Sequence, residues 1–134
     1  MKIPDSVLIV GGGLAGASAA FALRDRGFAG RVTLVGDEHH LPYERPPLSK
    51  GYLRGEDSFE KFRVRPLGDY EASEIELVRG RRAVTLDAHD RRVTLDDGWQ
   101  LAYDALLLAT GSRSRHLSAA SAYLPGVHHL RSLE

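Results

Sequence analysis

The 134-residue sequence contains no cysteine, which excludes structural disulfides, iron–sulfur ligation and a redox-active disulfide within the chain. Charge of one sign is not in excess, because 18 Lys and Arg balance 18 Asp and Glu. Composition therefore favours neither nucleic acid nor an anionic membrane as a partner. The apolar run at residues 7–10 is too short for a membrane span or a signal peptide. We expect one cytoplasmic domain over residues 1–134, long enough to bury a hydrophobic core.

Patterns of metal ligands are also missing. His39 and His40 are adjacent, so in an extended segment their side chains point in opposite directions, and His128 and His129 repeat the case. No Asp, Glu or His lies at ligand spacing on a predicted helix. We therefore predict that the chain has no metal site.

A glycine-rich turn follows the first apolar run, in the sequence VLIVGGGLAG. Residues 7–10 predict a buried strand, and the Ala-rich residues 14–26 predict a helix, with G-x-G-x-x-G between the two. Gly11 permits the tight reversal, Gly13 lets a pyrophosphate approach bare main chain, and Gly16 lets the helix pack on the strand. The N–H groups at the helix N-terminus then favour phosphate. This turn predicts a dinucleotide site.

An acidic residue follows the second predicted strand. Residues 31–36 predict a buried strand, and Asp37 comes 21 positions after Gly16, close to the roughly 20 expected for the carboxylate that holds a ribose hydroxyl. A carboxylate there repels a 2′-phosphate, so NADP is the least favoured dinucleotide. The alternative is an ordinary βαβ unit with a glycine-rich turn and a surface aspartate.

A proline-rich loop comes next, in the sequence EHHLPYERPPLSKGYLRGE. Its proline pair predicts a short helix over residues 47–53, flanked at its start by Arg45 and Lys50. Two cations beside a helix N-terminus are unfavourable for the helix itself. They favour instead an anionic or electron-rich group bound there, with a solvated surface loop as the alternative.

The second half of the chain predicts one further helix and five strands. The predicted helix is 66–73, and the predicted strands are 75–78, 83–86, 92–95, 99–101 and 105–109. Asp97-Gly98 between alternating apolar residues is typical of a hairpin. Thr110-Gly111 ends the last strand at the sheet edge where ligands bind in such folds, or is simply a turn. The predicted fold class is α/β: a Rossmann-like βαβ parallel sheet with a three-stranded antiparallel meander as a crossover.

Several stretches together carry a family resemblance. VGGGLAG, LVGDE, PYERPPLSKGYL, the meander and LLLATGSR resemble the FAD-dependent ferredoxin reductases, within the pyridine nucleotide-disulfide oxidoreductase superfamily. The resemblance covers residues 7–134, and PYERPPLSK is its specific part. It implies FAD as the cofactor, NADH as the substrate, and electron transfer to a small iron–sulfur ferredoxin that serves an oxygenase or a cytochrome P450. Since the chain has no cysteine pair, electrons must leave to that external partner.

The resemblance also implies roles for individual residues. Asp37 would hold the adenosine ribose, Ala83 would meet the adenine through its backbone, and Arg45 would lie near the diphosphate. The cofactor-binding residues so implied are Gly11, Gly13, Leu14, Ala15, Gly16, Asp37, Arg45, Lys50, Ala83, Ala109, Thr110, Gly111 and Arg131.

Lys50 is the predicted catalytic residue, placed by the resemblance close to the flavin ring. The chain has only three lysines, Lys2, Lys50 and Lys61, among its 18 basic residues. A lysine in a tight loop of such a chain suggests that a compact ammonium is needed there. That charge would favour the anionic reduced flavin.

Members of this family are longer than 134 residues and carry a separate NADH-binding domain and a C-terminal domain. We therefore expect an N-terminal FAD-binding part that has no NADH-dependent activity alone. We also expect apolar surface for the missing domains, a complementary chain or self-association. One alternative is a stand-alone FAD- or NAD-binding module without turnover. The other, a small NAD-dependent dehydrogenase, is disfavoured because no Tyr-x-x-x-Lys pair follows the nucleotide fold.

Overall fold

The computed structural model describes residues 3–115 and 124–134. Its centre is a four-stranded parallel sheet, and beside it lies a three-stranded antiparallel sheet. The elements are β1 (Ser6–Val10), α1 (Leu14–Asp25), β2 (Arg31–Gly36), α2 (Leu67–Ala72), β3 (Ile75–Arg79), β4 (Ala83–Asp87), β5 (Arg92–Leu95), β6 (Gln100–Ala102) and β7 (Ala105–Leu108). The predicted fold class is confirmed.

The parallel sheet has the order β3-β2-β1-β7. Val10 of β1 is in register with Val35 of β2 on one side and with Leu108 of β7 on the other. The carboxyl ends of three neighbouring strands therefore finish at one edge. Loops after those strands are brought together there, as in other doubly wound sheets.

The central strands β1 and β2 are mostly apolar because both of their faces are covered. On one face, Ile9 and Leu34 pack in a cluster with Ala17 of α1 and Tyr70 of α2. Successive side chains of a strand alternate between faces, and on the other face Leu8, Val10 and Val35 pack against Val93 and Leu95 of the meander. Ala17 is fully buried, and its small side chain lets α1 lie close to the sheet.

The antiparallel sheet β4-β5-β6 is the crossover between β3 and β7, as predicted. Val93 and Leu95 on β5 are 1% exposed, so one face of the meander occupies the position that a crossover helix usually fills. The strand predicted at 99–101 begins one residue later, at Gln100, and Leu95 N donates to the carbonyl of Trp99 where the hairpin closes.

The helices predicted at 14–26 and 66–73 are confirmed within one residue at each end. The helix predicted over 47–53 is wrong, because the structure has a single 3-10 turn at Pro46–Ser49. The backbone leaves the helical region at Lys50, where φ is −128° and ψ is −116°. The chain then folds back, since the amides of Glu56 and Asp57 both donate to the carbonyl of Gly51.

Two features are absent from residues 3–115 and 124–134. Within these ranges no helix is long and apolar enough to cross a membrane, and no three acidic or histidine side chains group as they would around a metal ion. Residues 124–134 have neither helix nor strand. The sequence predicted a loop-like tail over residues 114–134, and residues 116–123 of that tail lie outside the described residues.

The edge strand β7 carries exposed apolar side chains. Leu107 is 40% exposed and Leu108 is 58% exposed.

Candidate functional site

Two adjoining cavities lie at the carboxyl ends of β1, β2 and β7, with volumes of about 290 and 620 Å³. The smaller cavity runs along the glycine-rich turn and the proline-rich loop, and the larger runs toward the meander. Both are lined by Gly11, Gly36, Asp37, Glu38, Arg45, Thr110, Gly111 and Arg131. This is the sheet edge at which the sequence predicted ligand binding.

The β1–α1 turn, which we call the glycine corner (residues 11–16 with Gly36), is packed backbone against backbone. Gly11 has a φ of +128°, and a Cβ built on it would lie 2.1 Å from the carbonyl oxygen of Ala109 at the end of β7. A Cβ on Gly16 would lie 2.0 Å from the carbonyl oxygen of Gly11. No side chain fits at either position, so both glycines are required for the tight turn and the close packing of the helix.

Gly12 and Gly36 form a second close contact, which the sequence analysis missed. A Cβ on Gly12 would lie 3.0 Å from Gly36 Cα, and a Cβ on Gly36 would lie 2.9 Å from Gly12 Cα. The turn therefore packs directly on the end of β2. The signal that was available is the glycine at the last position of an otherwise apolar strand, immediately before Asp37.

Gly13 differs from these four glycines because it faces open space. A Cβ built on it would meet no atom within 4 Å, and the residue lines the smaller cavity. Gly13 is also the N-cap of α1, whose first turn carries no acidic side chain. The partial positive charge of the helix N-terminus is therefore not compensated by a carboxylate in that turn.

A hydrogen-bonded network, which we call the carboxylate clamp (Glu38, Tyr43, Arg45 and the backbone of residues 131–133), forms the opposite wall. Glu38 Oε1 accepts from Arg45 Nη2 at 2.6 Å, and Glu38 Oε2 accepts from the Tyr43 hydroxyl. Tyr43 Oη in turn accepts from Arg45 Nη1 at 3.2 Å and from Leu133 N at 3.1 Å. Arg45 Nη1 also donates to the carbonyl oxygen of Arg131.

The clamp requires Tyr43 to remain protonated, and its surroundings ensure this. Burial raises the pKa of Tyr43 to about 12, and the hydrogen bond to Glu38 adds to the effect. The phenol is therefore a donor at neutral pH. Its ring is 4% exposed and packs with Leu48, Phe62 and the half-buried Leu133, so apolar contacts support the same arrangement.

Asp37 lines both cavities, and its carboxylate has one partner from the meander side. Arg82 Nη2 lies 3.2 Å from Asp37 Oδ2, and both side chains are more than half exposed. An exposed pair of this kind contributes little to stability. Asp37 is therefore available to a ligand hydroxyl in either cavity.

The structure brings together the predicted site residues, with two exceptions. Gly16 lies beneath the turn, where it permits close packing, and Lys50 is exposed and lines neither cavity. The anion paired with Arg45 is Glu38 of the same loop, which the sequence analysis did not foresee. Glu38 and Tyr43 were missed as well, although the motif PYERPPLSK contains the tyrosine and the arginine.

The fold and the glycine corner define a protein of the Rossmann-like α/β class. The sequence profile described as "Pyridine nucleotide-disulphide oxidoreductase" matches residues 5–134. The chain therefore belongs to the pyridine nucleotide-disulphide oxidoreductase family. This confirms the superfamily that the sequence motifs indicated.

Similar curated proteins are reductase components. The chain is 51% identical over 128 residues to the ferredoxin–NAD(+) reductase component of the p-cumate 2,3-dioxygenase system of Pseudomonas putida, covering 96% of this chain and 32% of that protein. It is 46% identical over 127 residues to rhodocoxin reductase of Rhodococcus erythropolis, covering 95% of this chain and 30% of that protein. The chain thus spans about a third of the length of the curated relatives it matches.

Solved structures agree with this placement. The covalent putidaredoxin reductase–putidaredoxin complex matches with a TM-score of 0.83 at 44% identity, over 87% of this chain and 28% of that chain. NADH:rubredoxin oxidoreductase from Clostridium acetobutylicum matches with a TM-score of 0.78 at 30% identity, over 87% of this chain and 30% of that chain.

Proposed function

We propose that the two cavities bind the ADP half of FAD, and that the chain supplies the FAD-binding part of an NADH-dependent ferredoxin reductase. Such an enzyme passes electrons from NADH through FAD to a small iron–sulfur ferredoxin, which serves an oxygenase or a cytochrome P450. The names of the relatives support this reading, since one is a ferredoxin–NAD(+) reductase component and another a rhodocoxin reductase.

One observation carries the proposal: the open surface at Gly13. Of the glycines in the glycine corner, Gly13 is the one on which a Cβ would meet no atom within 4 Å. It adjoins a helix N-terminus without an acidic residue in its first turn, which suits a diphosphate. Asp37, which lines both cavities, offers acceptors for ribose hydroxyls. The residues present therefore fit the ADP half of FAD.

The remaining assignments follow from this fit. Gly11, Gly13, Leu14 and Ala15 would surround the diphosphate, while Gly16 would act through packing of the helix. Ala83 would meet the adenine through its backbone, and Arg45 would lie near the diphosphate. The other cavity residues proposed to contact the cofactor are Ala109, Thr110, Gly111 and Arg131. When bound, FAD accepts a hydride from NADH and releases single electrons.

Lys50 is proposed to lie near the flavin ring, beyond the ADP half. Its ammonium has no ion-pair partner among the described residues, whereas Lys61 Nζ pairs with Asp57 at 2.9 Å. Lys50→Arg should weaken FAD binding several-fold, because a broad guanidinium replaces a compact ammonium. Lys61→Arg is the matched control. Equal FAD affinities for the two variants, measured by fluorescence titration, would contradict a role for Lys50.

The binding experiment uses the 134-residue chain directly. Calorimetric titrations with ADP and with FAD should both show saturable binding, and denaturing the purified protein should release any flavin it retained. Binding of neither ligand at millimolar concentration would refute the proposal.

A second experiment separates a reductase part from a stand-alone FAD- or NAD-binding module. The chain alone should not reduce ferricyanide with NADH. Adding the remaining two thirds of a curated relative as a separate polypeptide should restore NADH-driven reduction if the chain is part of a reductase. No restoration, with FAD bound, would favour the module instead.

A further inference from the structure

The guanidinium of Arg131 lies where the two cavities meet. Arg131 lines both cavities, and its Nη2 lies 3.2 Å from the position that a Cβ on Gly111 would take. No carboxylate of the described residues forms an ion pair with it. The side chain is thus a cation available to a ligand at the shared opening, and its placement depends on the backbone that carries it.

That backbone is held from the proline-rich loop. Arg45 donates a hydrogen bond to the carbonyl oxygen of Arg131, and Leu133 N donates to the Tyr43 hydroxyl oxygen at 3.1 Å. Leu133 also packs against the buried cluster of Tyr43, Leu48 and Phe62. These contacts fix residues 131–133 on the loop, although the two segments are 86 and 90 positions apart at these hydrogen bonds.

Glu38 directs both of the groups that make these contacts. Its two carboxylate oxygens accept from Arg45 Nη2 and from the Tyr43 hydroxyl. Because Tyr43 Oη already accepts from Arg45 and from Leu133, its proton must point to another acceptor, and Glu38 provides it. The Glu38 side chain is only 18% exposed, so these charge-assisted bonds are shielded from water.

We propose that Glu38 is a positioning residue for nucleotide binding. Through Tyr43 and Arg45 it holds residues 131–133 against the loop, and so places the Arg131 guanidinium at the opening shared by the two cavities. There the guanidinium meets an anionic group of the bound nucleotide, a phosphate of ADP. The nucleotide part of this inference rests on the proposed function.

The first test needs no ligand. Glu38→Gln keeps the shape of the side chain, but only one of its two terminal atoms can accept, so the bonds that Oε1 and Oε2 accept from Arg45 and Tyr43 cannot both remain in place. The amide of Leu133 should then exchange with solvent about tenfold faster in NMR hydrogen-exchange experiments, because its segment is released locally. Glu44→Gln, the same change at an exposed position of the same loop, should leave the rate unchanged. Equal rates in the two variants would overturn the proposal.

The second test is a double-mutant cycle on ADP affinity. Arg131→Ala should weaken ADP binding about tenfold and reduce its dependence on salt, and Glu38→Gln should weaken it about threefold or more. If Glu38 acts through Arg131, Glu38→Gln should change ADP affinity by less than about twofold in the Arg131→Ala background. Independent effects that multiply, or unchanged ADP affinity in Glu38→Gln, would overturn the proposal.

The outcomes distinguish this inference from the proposed function. If the wild-type chain binds neither ADP nor FAD, the proposed function fails, and the nucleotide role of Arg131 fails with it. The Leu133 exchange rates would still decide whether Glu38 holds residues 131–133. If Glu38→Gln does not fold, Glu38→Asp keeps the charge but shortens the side chain that reaches Arg45 and Tyr43, and the same exchange and affinity results are expected from it.

Discussion

The two walls of the candidate site are built in different ways. The glycine corner is backbone packed on backbone, with Gly11 against Ala109 and Gly12 against Gly36. The carboxylate clamp is made of side-chain hydrogen bonds around Glu38 and Tyr43. A backbone wall cannot move without separating strands of the sheet, whereas a side-chain wall can loosen while the sheet stays intact. We therefore expect changes in the first wall to affect global stability and changes in the second to act locally.

The largest expected effect is that of Gly11→Ala. The new Cβ would lie 2.1 Å from the Ala109 carbonyl oxygen, and the residue would need a φ of +128°. Overpacking against rigid backbone and the unfavourable dihedral together should lower the free energy of unfolding by about 4 kcal/mol or more. Urea denaturation followed by circular dichroism measures this loss.

Gly27→Ala is the control that separates strain from overpacking. Gly27 has a φ of +79°, but a Cβ there would meet no atom within 4 Å, so only the dihedral cost of about 1 kcal/mol remains. Similar losses for the two variants would show that β1 and β7 can separate at little cost. The glycine corner would then not be the rigid wall described above.

Alkaline pH tests two buried tyrosines, one in the clamp and one behind the parallel sheet. Burial raises the pKa of Tyr43 in the clamp to about 12, and burial likewise raises that of Tyr70, behind the sheet, to about 12. A raised pKa means that folding favours the protonated phenol. The contribution of each phenol to the free energy of unfolding is therefore complete below pH 10 and is lost toward pH 12. At pH 11 ionisation of the two phenols together should lower the free energy of unfolding by about 3 kcal/mol.

Measuring the free energy of unfolding at pH 9 and at pH 11 tests this prediction. Tyr43→Phe and Tyr70→Phe should each remove about half of the difference between the two values. If the difference persists when both tyrosines are replaced, other groups cause it.

At neutral pH the same two substitutions should differ in sign. Tyr43→Phe removes the partner of Glu38 Oε2 and of Leu133 N, and should cost about 2 kcal/mol. Tyr70→Phe removes a buried hydroxyl that has no hydrogen-bond partner among the described residues, so it should be neutral or stabilising by about 1 kcal/mol. Thermal denaturation of the two variants gives the comparison. A destabilised Tyr70→Phe would mean that its hydroxyl has a partner outside those residues.

The difference between the walls also explains what the sequence predicted. The glycine corner obeys a local rule, in which each residue type is fixed by its spacing from the strand, so Gly11, Gly13 and Asp37 could be predicted as site residues from the sequence. The carboxylate clamp joins residues up to 90 positions apart, and no local rule indicates such a pair. Nor does the sequence distinguish the adjacent acids: Asp37 remains more than half exposed while Glu38 is largely buried.

The short helix predicted at 47–53 failed for a related reason. Its proline pair starts a turn, and the prediction extended that turn by local preference. The carbonyl of Gly51 instead accepts from Glu56 and Asp57, which reverses the chain. The meander was predicted because its signal, Asp97-Gly98 between alternating residues, is as local as the glycine motif.

The smallest expected effect on stability is that of Gly13→Ala, within the same glycine corner. Its φ of −96° and ψ of −168° suit alanine, and the added methyl group would meet no atom within 4 Å. Alanine is a poorer N-cap than glycine, so the loss should be at most about 1 kcal/mol. Yet the methyl group would occupy the surface proposed for the diphosphate, so ADP affinity should fall about tenfold or more.

Gly13→Ala therefore divides the glycine corner by function. Gly11 and Gly16 are needed because protein atoms lie against them, whereas Gly13 is needed only if a ligand does. A variant that unfolds like the wild type but no longer binds ADP in calorimetry would place the ligand at Gly13. If the same variant binds ADP as the wild type does, the open space at Gly13 is not where the diphosphate lies. Asp37 and Arg131 would then have to hold the nucleotide from the larger cavity, nearer the meander.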